Sequence, residues 1–272
     1  SASFSEAEIY SWKDESGKIH FTDNPANIPA KYRRGEEKGL RTIKEAPPVT
    51  GQSSGSPHPG VRFNSSKEYK IPLILTDNGN FLVETILNGK VKARLMLDTG
   101  ASLVTFSSEI ARKLGLDPNG DLPGLPFQTA GGVTWMPLIA LDTVQIGDAE
   151  VKTVEASVGI ELTGMDGLLG MSFFDNFKME INRAKSELVL RPMAEAGEQV
   201  WDGKPALWWK SKFNYYTTRL KQYKSNSAQI KSLSREEART LKQTVRFYED
   251  LYRKLSLSAA AYGVPKKYRT SP

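Results

Sequence analysis

The sequence of 272 residues contains no cysteine and only two histidines, His20 and His58. Without cysteine the chain can form no disulfide, no thiolate nucleophile and no Cys-ligated zinc or iron–sulfur centre. Two histidines separated by a low-complexity stretch argue against a multi-histidine metal site. They also make a Ser-His-Asp catalytic triad unfavoured. No apolar run approaches the roughly 20 residues that a membrane-spanning helix needs. We therefore predict no metal site and no cofactor.

Positive charge is concentrated at the C-terminal end of the chain. Residues 199–272 hold 16 lysines and arginines against 5 acidic residues, whereas the first 198 residues hold 21 against 26. Such a segment is typical of a contact with an anionic surface or a partner protein, although a solvated helical face explains it equally well. Nucleic acid is disfavoured as the partner, because the positive residues are interleaved with an apolar stripe and no base-reading motif accompanies them.

The N-terminal residues 1–34 predict a small β-hairpin domain. Residues 9–13 and 18–22 alternate between apolar and polar on either side of turn residues 14–17. The patterns Tyr-x-Trp, Asp-x-x-Gly and Phe-Thr-Asp resemble a small domain of unknown function near the N-terminus of many Gram-negative envelope proteins. The resemblance implies a protein of the periplasm or cell envelope. We expect either that a signal peptide exported it and was removed, or that an N-terminal anchor, since removed, held it.

Residues 35–67 are charged and then rich in Gly, Ser and Pro, and they predict a flexible linker. Residues 68–193 instead alternate short β-rich segments with turns, which favours a single barrel-like domain. The strongest hairpin signal is Asn88-Gly89 between residues 81–87 and 91–97. Further strands are predicted at 71–75, 133–139, 142–146, 151–158, 177–181 and 187–190, and a short helix at 107–114.

Residues 199–262 predict an antiparallel α-helical hairpin, and residues 263–272 a tail. Apolar and aromatic residues recur every three or four positions from Trp209 to Ile230 and again from Ala238 to Leu255. Between the two runs, Ser234 with a glutamate three residues later forms a capping-box pattern. We expect the aromatic stripe to pack against the partner helix.

One segment of the barrel region carries the features of a catalytic site. The apolar residues 95–97 lead into Asp98, Thr99 and Gly100, and an apolar run resumes after Ser102. A carboxylate on a tight glycine turn at the end of a buried strand has its position fixed by the backbone, as a catalytic acid requires. Taken alone, however, Asp-Thr-Gly is also the sequence of an ordinary surface turn.

Two further motifs accompany this turn, a glycine-tipped hairpin at residues 128–135 and Gly-Leu-Leu-Gly at residues 167–170. Together with Leu-Asp-Thr-Gly-Ala-Ser, they resemble the retropepsin-like aspartic proteases of the bacterial single-domain kind. The resemblance covers residues 69–192. It implies a mainly β fold in which a retropepsin-like closed β-barrel lies between the N-terminal β-hairpin domain and the C-terminal α-helical hairpin.

The resemblance also implies an aspartic endopeptidase that hydrolyses a peptide or protein substrate, with Asp98 as the catalytic acid and base. This chemistry needs two aspartates that share one proton. Because the chain contains a single Asp-Thr-Gly, the second carboxylate must be Asp98 of another subunit, so we predict a homodimer. Asp166 is rejected as the second acid, because the family has no catalytic acid before Gly-Leu-Leu-Gly. The alternative is a non-catalytic dimerisation or binding module of the cell envelope.

Further roles are assigned by the same resemblance. Thr99 would join a hydrogen-bond network between the two active turns, and Ser102 would bond an outer oxygen of Asp98. The complete set of residues that support the active site is Thr99, Gly100, Ala101 and Ser102. The flap that closes over the substrate comprises Ala130, Gly131, Gly132, Val133, Thr134 and Trp135. The structural motif behind the active turn comprises Gly167, Leu168, Leu169 and Gly170.

Overall fold

The structure is a computed structural model that describes residues 9–13, 19–22, 41–43, 61–62, 67–129, 132–159, 162–227 and 234–269. The chain divides into two compact units, Ser1–Pro57 and His58–Pro272. No helix among the described residues is long and apolar enough to cross a membrane.

The N-terminal unit contains the predicted hairpin. Strand β1 (Ile9–Lys13) pairs antiparallel with β2 (Ile19–Thr22), and Lys13 lies opposite Ile19. A third strand, β3 (Arg41–Ile43), pairs with the other edge of β1. This strand lies within the predicted linker. The other linker residues up to position 57 lie outside the described residues. Three residues are too few to show a strand periodicity, which is why the sequence did not indicate it.

Six strands close into a β-barrel, as the sequence predicts. They are β7 (Phe81–Leu87), β8 (Val91–Leu97), β9 (Val104–Phe106), β11 (Gly132–Ile146), β12 (Ala149–Val158) and β13 (Gly167–Leu169). Their order around the barrel is β11, β12, β9, β13, β8, β7, and the pairing of Leu87 with Val144 joins β7 back to β11. Two further strands, β6 (Ile74–Leu75) and β10 (Gly124–Thr129), extend the sheet beside β7 and β11.

The barrel forms because alternate residues of its strands are apolar and face inward. In β8, Ala93 and Leu95 are buried whereas Lys92 and Arg94 are exposed. Asn88 and Gly89 both adopt positive φ values, 50° and 66°, as the tight turn between β7 and β8 requires.

Strand β11 is continuous, although the sequence predicted two strands at 133–139 and 142–146. Leu141 is buried and pairs with Val154, and the same register resumes at Thr143 opposite Lys152. The predicted interruption at residues 140–141 is absent, because Ala140 also pairs, with Glu155.

Two small sheets flank the barrel. In one, β15 (Glu187–Pro192) lies between β14 (Phe177–Asn182) and β5 (Tyr69–Pro72), all antiparallel. In the other, β16 (Gln199–Trp201) lies between β17 (Lys204–Pro205) and β4 (Val61–Arg62), so a second short strand also falls within the predicted linker.

The predicted helices are present. Helix α1 (Ser108–Lys113) has Ser107 as its N-cap, and α2 (Met171–Phe174) follows β13. The C-terminal hairpin consists of α3 (Ala206–Ser227) and α4 (Arg235–Ala261). The capping box is confirmed: Ser234 Oγ accepts the N–H of Glu237, and the Glu237 carboxylate accepts the N–H of Ser234. Ile230, assigned to the first helix, lies outside the described residues.

The helical hairpin shares a second hydrophobic core with the barrel. The aromatic stripe of α3 packs against α4 as predicted, with the Tyr223 and Tyr248 rings stacked at a centroid distance of 5.5 Å. The same core also takes up barrel residues, namely Leu103, Leu125 and Leu138. The hairpin therefore lies against both the active turn and the strands of the predicted flap.

The buried line of α4 differs from the predicted stripe. It runs through Thr244, Tyr248, Leu251, Leu255 and Ala259. Thr244 can be buried because its hydroxyl is hydrogen-bonded to the backbone of Gly124, a contact that the helical spacing could not indicate.

Candidate active site

The Asp98 carboxylate lies on a tight turn where β8 leaves the barrel. The N–H of Gly100 donates to Asp98 Oδ1 at 2.8 Å, and the N–H of Ala101 donates to the Asp98 carbonyl at 3.3 Å. Asp98 is half-buried, whereas Thr99 and Gly100 are exposed. The turn therefore fixes the carboxylate and leaves it open to solvent on one side.

Glycine at position 100 fits this close approach. A Cβ atom there would lie 3.2 Å from Asp98 Oδ1, which is tighter than most carbon contacts. A side chain at this position would push against the carboxylate that the turn holds.

The Gly-Leu-Leu-Gly segment lies directly behind the turn. Strand β13 lies between β8, to which it is parallel, and β9, to which it is antiparallel. Its last residue, Leu169, lies opposite Leu97, and its carbonyl accepts the N–H of Asp98 at 3.1 Å. This backbone bond links the segment to the aspartate itself.

Both glycines of this segment meet neighbouring backbone at distances that exclude a side chain. A Cβ at Gly167 would lie 2.0 Å from the Thr105 carbonyl oxygen, and one at Gly170 would lie 2.3 Å from the Leu103 carbonyl oxygen. Close packing of β13 against β9 therefore requires glycine at position 167, and close packing against the segment after Asp98 requires glycine at position 170.

The residues after Asp98 are held by helix α2. The N–H of Met171 donates to the Ala101 carbonyl at 2.8 Å, and the N–H of Ser172 donates to the Ser102 carbonyl at 3.0 Å. The Ser102 side chain is exposed, and among the described residues it makes no hydrogen bond to Asp98. The predicted bond from Ser102 to an outer carboxylate oxygen is therefore not formed in this single chain.

The predicted flap is a β-hairpin of β10 and β11. Thr129 lies opposite Gly132, and Gln128 lies opposite Val133, so the pairing continues to the tip. Ala130 and Gly131, which were predicted as part of the flap, lie outside the described residues. Gly132, Val133, Thr134 and Trp135 begin β11. The Trp135 side chain is 59% exposed, a large apolar surface near the base of the flap.

Helix α4 anchors the base of this flap. The Thr244 hydroxyl accepts the N–H of Gly124 at 3.3 Å and lies 3.0 Å from the Gly124 carbonyl oxygen, to which it can donate. Beside it, Asp121 forms a salt bridge with Arg239 and a hydrogen bond with Gln243. The hydrogen bond from Arg239 lowers the pKa of Asp121. Sequence reasoning missed this anchor, because the partners are about 120 residues apart.

The helical hairpin also reaches the active turn through a buried carboxylate. Glu155 of β12 is 2% exposed and accepts a hydrogen bond from the Tyr215 hydroxyl at 3.1 Å. Its backbone carbonyl accepts the Ser172 hydroxyl at 2.8 Å, and Ser172 Oγ accepts the N–H of Val104 at 2.9 Å. Burial raises the pKa of Tyr215, and the Glu155 charge raises it further, so the phenol remains a donor.

Asp166 has a structural role beside the middle of β8. Its carboxylate accepts the N–H of Arg94 at 2.7 Å, and its own N–H donates to the Arg94 carbonyl at 2.8 Å. Arg94 precedes Asp98 by four residues of an extended strand, which corresponds to about 13 Å. Asp166 is therefore not placed to share a proton with Asp98 of the same chain.

Comparison with known proteins identifies two segments. Residues 83–176 match the family described as "gag-polyprotein putative aspartyl protease". The barrel is a retropepsin-like aspartic protease domain. Residues 1–54 match the domain of unknown function DUF4124, which agrees with the resemblance of the N-terminal hairpin.

Relatives of the retropepsin-like domain occur in bacteria. An uncharacterized protein of Rickettsia prowazekii is 36% identical over 115 residues, and an uncharacterized protein from the 5′ region of cobV in a Sinorhizobium species is 32% identical over 114 residues. Each alignment covers 42% of this chain, and the chain spans about half the length of these curated relatives, 48% in each case. A crystal structure of a retropepsin-like aspartic protease from Rickettsia conorii is 33% identical, with a TM-score of 0.39, covering 46% of this chain and 92% of that one.

No three described His, Cys, Asp or Glu residues lie together in a group that could hold a metal ion. The site that the described residues assemble consists of one carboxylate, the turn that carries it and the backbone that supports this turn.

Proposed function

We propose that the protein is an aspartic endopeptidase whose active site forms when two copies bring their Asp98 turns together. The observation that carries this proposal is the geometry of the turn. The sequence contains Asp-Thr-Gly once, the turn fixes the Asp98 carboxylate, and Thr99 and Gly100 are exposed beside it. A second copy related by a twofold axis would supply the second carboxylate.

The chemistry follows from two carboxyl groups about 3 Å apart, which cannot both be ionised. The ionised carboxylate takes a proton from a water molecule, which attacks the scissile carbonyl carbon. The protonated carboxyl donates a hydrogen bond to the carbonyl oxygen and stabilises the developing charge. The same groups then return a proton to the leaving amine.

The substrate would be an extended peptide that lies between the paired turns and the flaps. An extended backbone can bond to exposed strand edges, and side-chain pockets then select the sequence. The exposed Trp135 supplies an apolar surface for such a pocket. Closure of the flap would exclude water from the dyad.

The predicted placement in the periplasm or envelope belongs to this proposal. Fractionation of the native host tests it: the protein should be recovered with periplasmic or envelope markers, and recovery with cytoplasmic markers alone would contradict it.

The activity is tested by a peptide library incubated with wild type, Asp98→Asn and Asp148→Asn. Asp148 is the matched control because it is an exposed aspartate in a glycine-containing turn away from the site. Wild type and Asp148→Asn should cleave the same peptides, with inhibition by pepstatin. Asp98→Asn should lose cleavage by at least about 1,000-fold while its circular dichroism is unchanged.

Equal cleavage by Asp98→Asn would rule out this mechanism. An intact dimer that cleaves no peptide from acid to neutral pH would instead support the second candidate, a dimerisation or binding module.

A further inference from the structure

A cleft of about 500 Å³ separates the barrel from the helical hairpin, away from the Asp98 turn. One wall comes from β12, the end of α2 and β14, and the other from the turn between β16 and β17 with helices α3 and α4. Five lysines line this cleft, which we call the lysine cleft: Lys67, Lys152, Lys204, Lys212 and Lys254. The acidic residues that line it are Glu150 and Asp202, so its lining carries a formal excess of three positive charges.

Lys204 lies at the centre of this charge. Its ammonium donates to the Asn176 carbonyl at 3.3 Å and lies 5.4 Å from the ring centroids of Phe177 and of Trp208. Burial lowers its pKa to about 8, although the charge of Asp202 opposes this shift. Within the described part of the chain it forms no salt bridge, so the charge is held among apolar groups without a carboxylate in contact.

The other lysines of the cleft add positive charge near Lys204. Lys212 is 3.9 Å from the buried Glu155 carboxylate, which balances it in part. Lys152 and Lys254 are exposed, and neither forms an ion pair with a described residue. An anion in the cleft would therefore meet several ammonium groups that are already placed.

Backbone strain points to the same place. Thr153 lines the cleft and has a positive φ value of 54°. Asp202 also has a positive φ value, 52°, but there the tight Asp202-Gly203 turn between β16 and β17 requires it. A β-branched residue such as threonine rarely adopts this conformation. Strain of this kind persists where the surrounding structure holds it, and it concentrates at ligand sites.

The walls of the cleft also provide flat apolar surfaces. The aromatic residues that line it include Tyr69, Phe177, Trp208 and Tyr262. A ligand here could therefore combine an anionic group with a planar apolar part.

We propose that the lysine cleft binds an anionic ligand with a planar apolar group. Its phosphate or carboxylate lies against Lys204 and Lys212, and its planar part lies against Trp208 and Phe177. This site is separate from Asp98 and does not depend on the proposed protease activity. It uses three of the C-terminal lysines, Lys204, Lys212 and Lys254.

The test is isothermal titration calorimetry of the full chain at pH 6.5 with phenyl phosphate, inorganic phosphate and phenol. Phenyl phosphate should bind saturably and more tightly than either of the other two, because it alone combines both features. Inorganic phosphate bound as tightly would contradict the planar part of the proposal, and phenol bound as tightly would contradict the anionic part.

Four variants assign the binding to the cleft. Lys204→Met and Lys212→Met keep most of the side-chain volume, and each should weaken phenyl phosphate about tenfold by removing a charge-assisted hydrogen bond. Asp202→Asn removes a nearby negative charge at a position where asparagine tolerates positive φ, so it should tighten binding. Lys210→Gln, on the exposed face of α3, is the matched control and should leave the affinity unchanged.

Unfolding curves show whether each variant is folded. The absence of saturable binding to wild type would overturn the proposal. Wild-type affinity in folded Lys204→Met, Lys212→Met and Asp202→Asn would also overturn it, because the anion would then bind elsewhere.

Discussion

Gly170 shows how closely the backbone behind the active turn is packed. The Leu103 and Ala101 carbonyl oxygens both lie within 2.6 Å of where its Cβ would be, and these residues belong to the segment that follows Asp98. Backbone on both sides cannot move aside as a flexible side chain could. The role of this glycine is therefore steric, and its effect on the site passes through the position of the turn.

Gly170→Ala should lower the free energy of unfolding by about 3 kcal/mol, because the new methyl group overlaps two carbonyl oxygens. Urea denaturation measures this change. Gly124→Ala is the matched control: its Cβ would lie 3.4 Å from the nearest atom, an ordinary contact, so its effect should be clearly smaller. Equal stability of Gly170→Ala and wild type would contradict the close packing of Gly170 against the backbone of residues 101–103.

Lys204 predicts a pH dependence of stability. Its native pKa of about 8 lies below the ordinary 10.5. Below pH 8 both the native and the unfolded chain carry the proton, so the cost of burying the charge is fully present. Between pH 8 and 10.5 the native chain loses the proton first, and the cost falls as pH rises.

Lys204→Met should therefore be more stable than wild type at pH 7. This advantage should shrink by about 1 to 2 kcal/mol as the pH is raised to about 9.5. Urea denaturation of both proteins at each pH measures the difference between their free energies of unfolding. Groups that titrate in the same way in both proteins cancel in this difference. A difference that is constant with pH would show that Lys204 keeps its ordinary pKa.

At the scale of elements, the flap and helix α4 are joined by one buried threonine. Thr244 makes hydrogen bonds with both the N–H and the C=O of Gly124, where β10 begins. The strand next contributes Leu125 to the core that it shares with the helical hairpin. The helical hairpin thus sets where the base of the flap lies.

Thr244→Val should lower the free energy of unfolding by about 1 to 3 kcal/mol, because it leaves buried backbone groups of Gly124 without their partner. If the flap binds substrate, the same variant should raise KM more than it lowers kcat. Thr244→Ser keeps the hydroxyl and is the control for both readouts. Unchanged stability and unchanged KM in the valine variant would contradict the anchor.

Local signals predicted the elements better than the contacts between them. The turn at Asn88-Gly89, the cap at Ser234 and the strand at residues 91–97 each depend on signals within a few residues, and each is confirmed. Strands β3 and β4 were missed because two or three residues carry no periodicity. The pairing of Thr244 with Gly124 joins residues far apart in sequence, and no local pattern encodes it.

In the candidate site, too, the features carried by local sequence were predicted and the contacts between distant residues were not. The motif around Asp98 and the Gly-Leu-Leu-Gly segment were recognisable, since glycine and aspartate at fixed spacing reflect backbone requirements. The support from Glu155 and Ser172 was not recognisable, because a glutamate within a strand usually indicates an exposed position. The hydrogen bond expected between Ser102 and Asp98 is absent from the described residues of the single chain.

At the scale of the whole molecule, the proposal requires more than the single chain provides. One chain presents one Asp98 carboxylate, and the Asp166 carboxylate accepts the N–H of Arg94 in the middle of β8. Activity should therefore follow the population of dimers rather than of chains. The specific activity should fall on dilution below the dimer dissociation constant, over the range where sedimentation velocity shows monomers.

The central claim is tested most directly by mixing wild-type and Asp98→Asn chains at a fixed total concentration and letting them exchange subunits. If both carboxylates are needed, only dimers of two wild-type chains are active, so cleavage should fall with the square of the wild-type fraction. A half-and-half mixture should then retain about a quarter of the activity. A linear fall, with half of the activity retained in that mixture, would show that each chain works alone and would contradict the shared site.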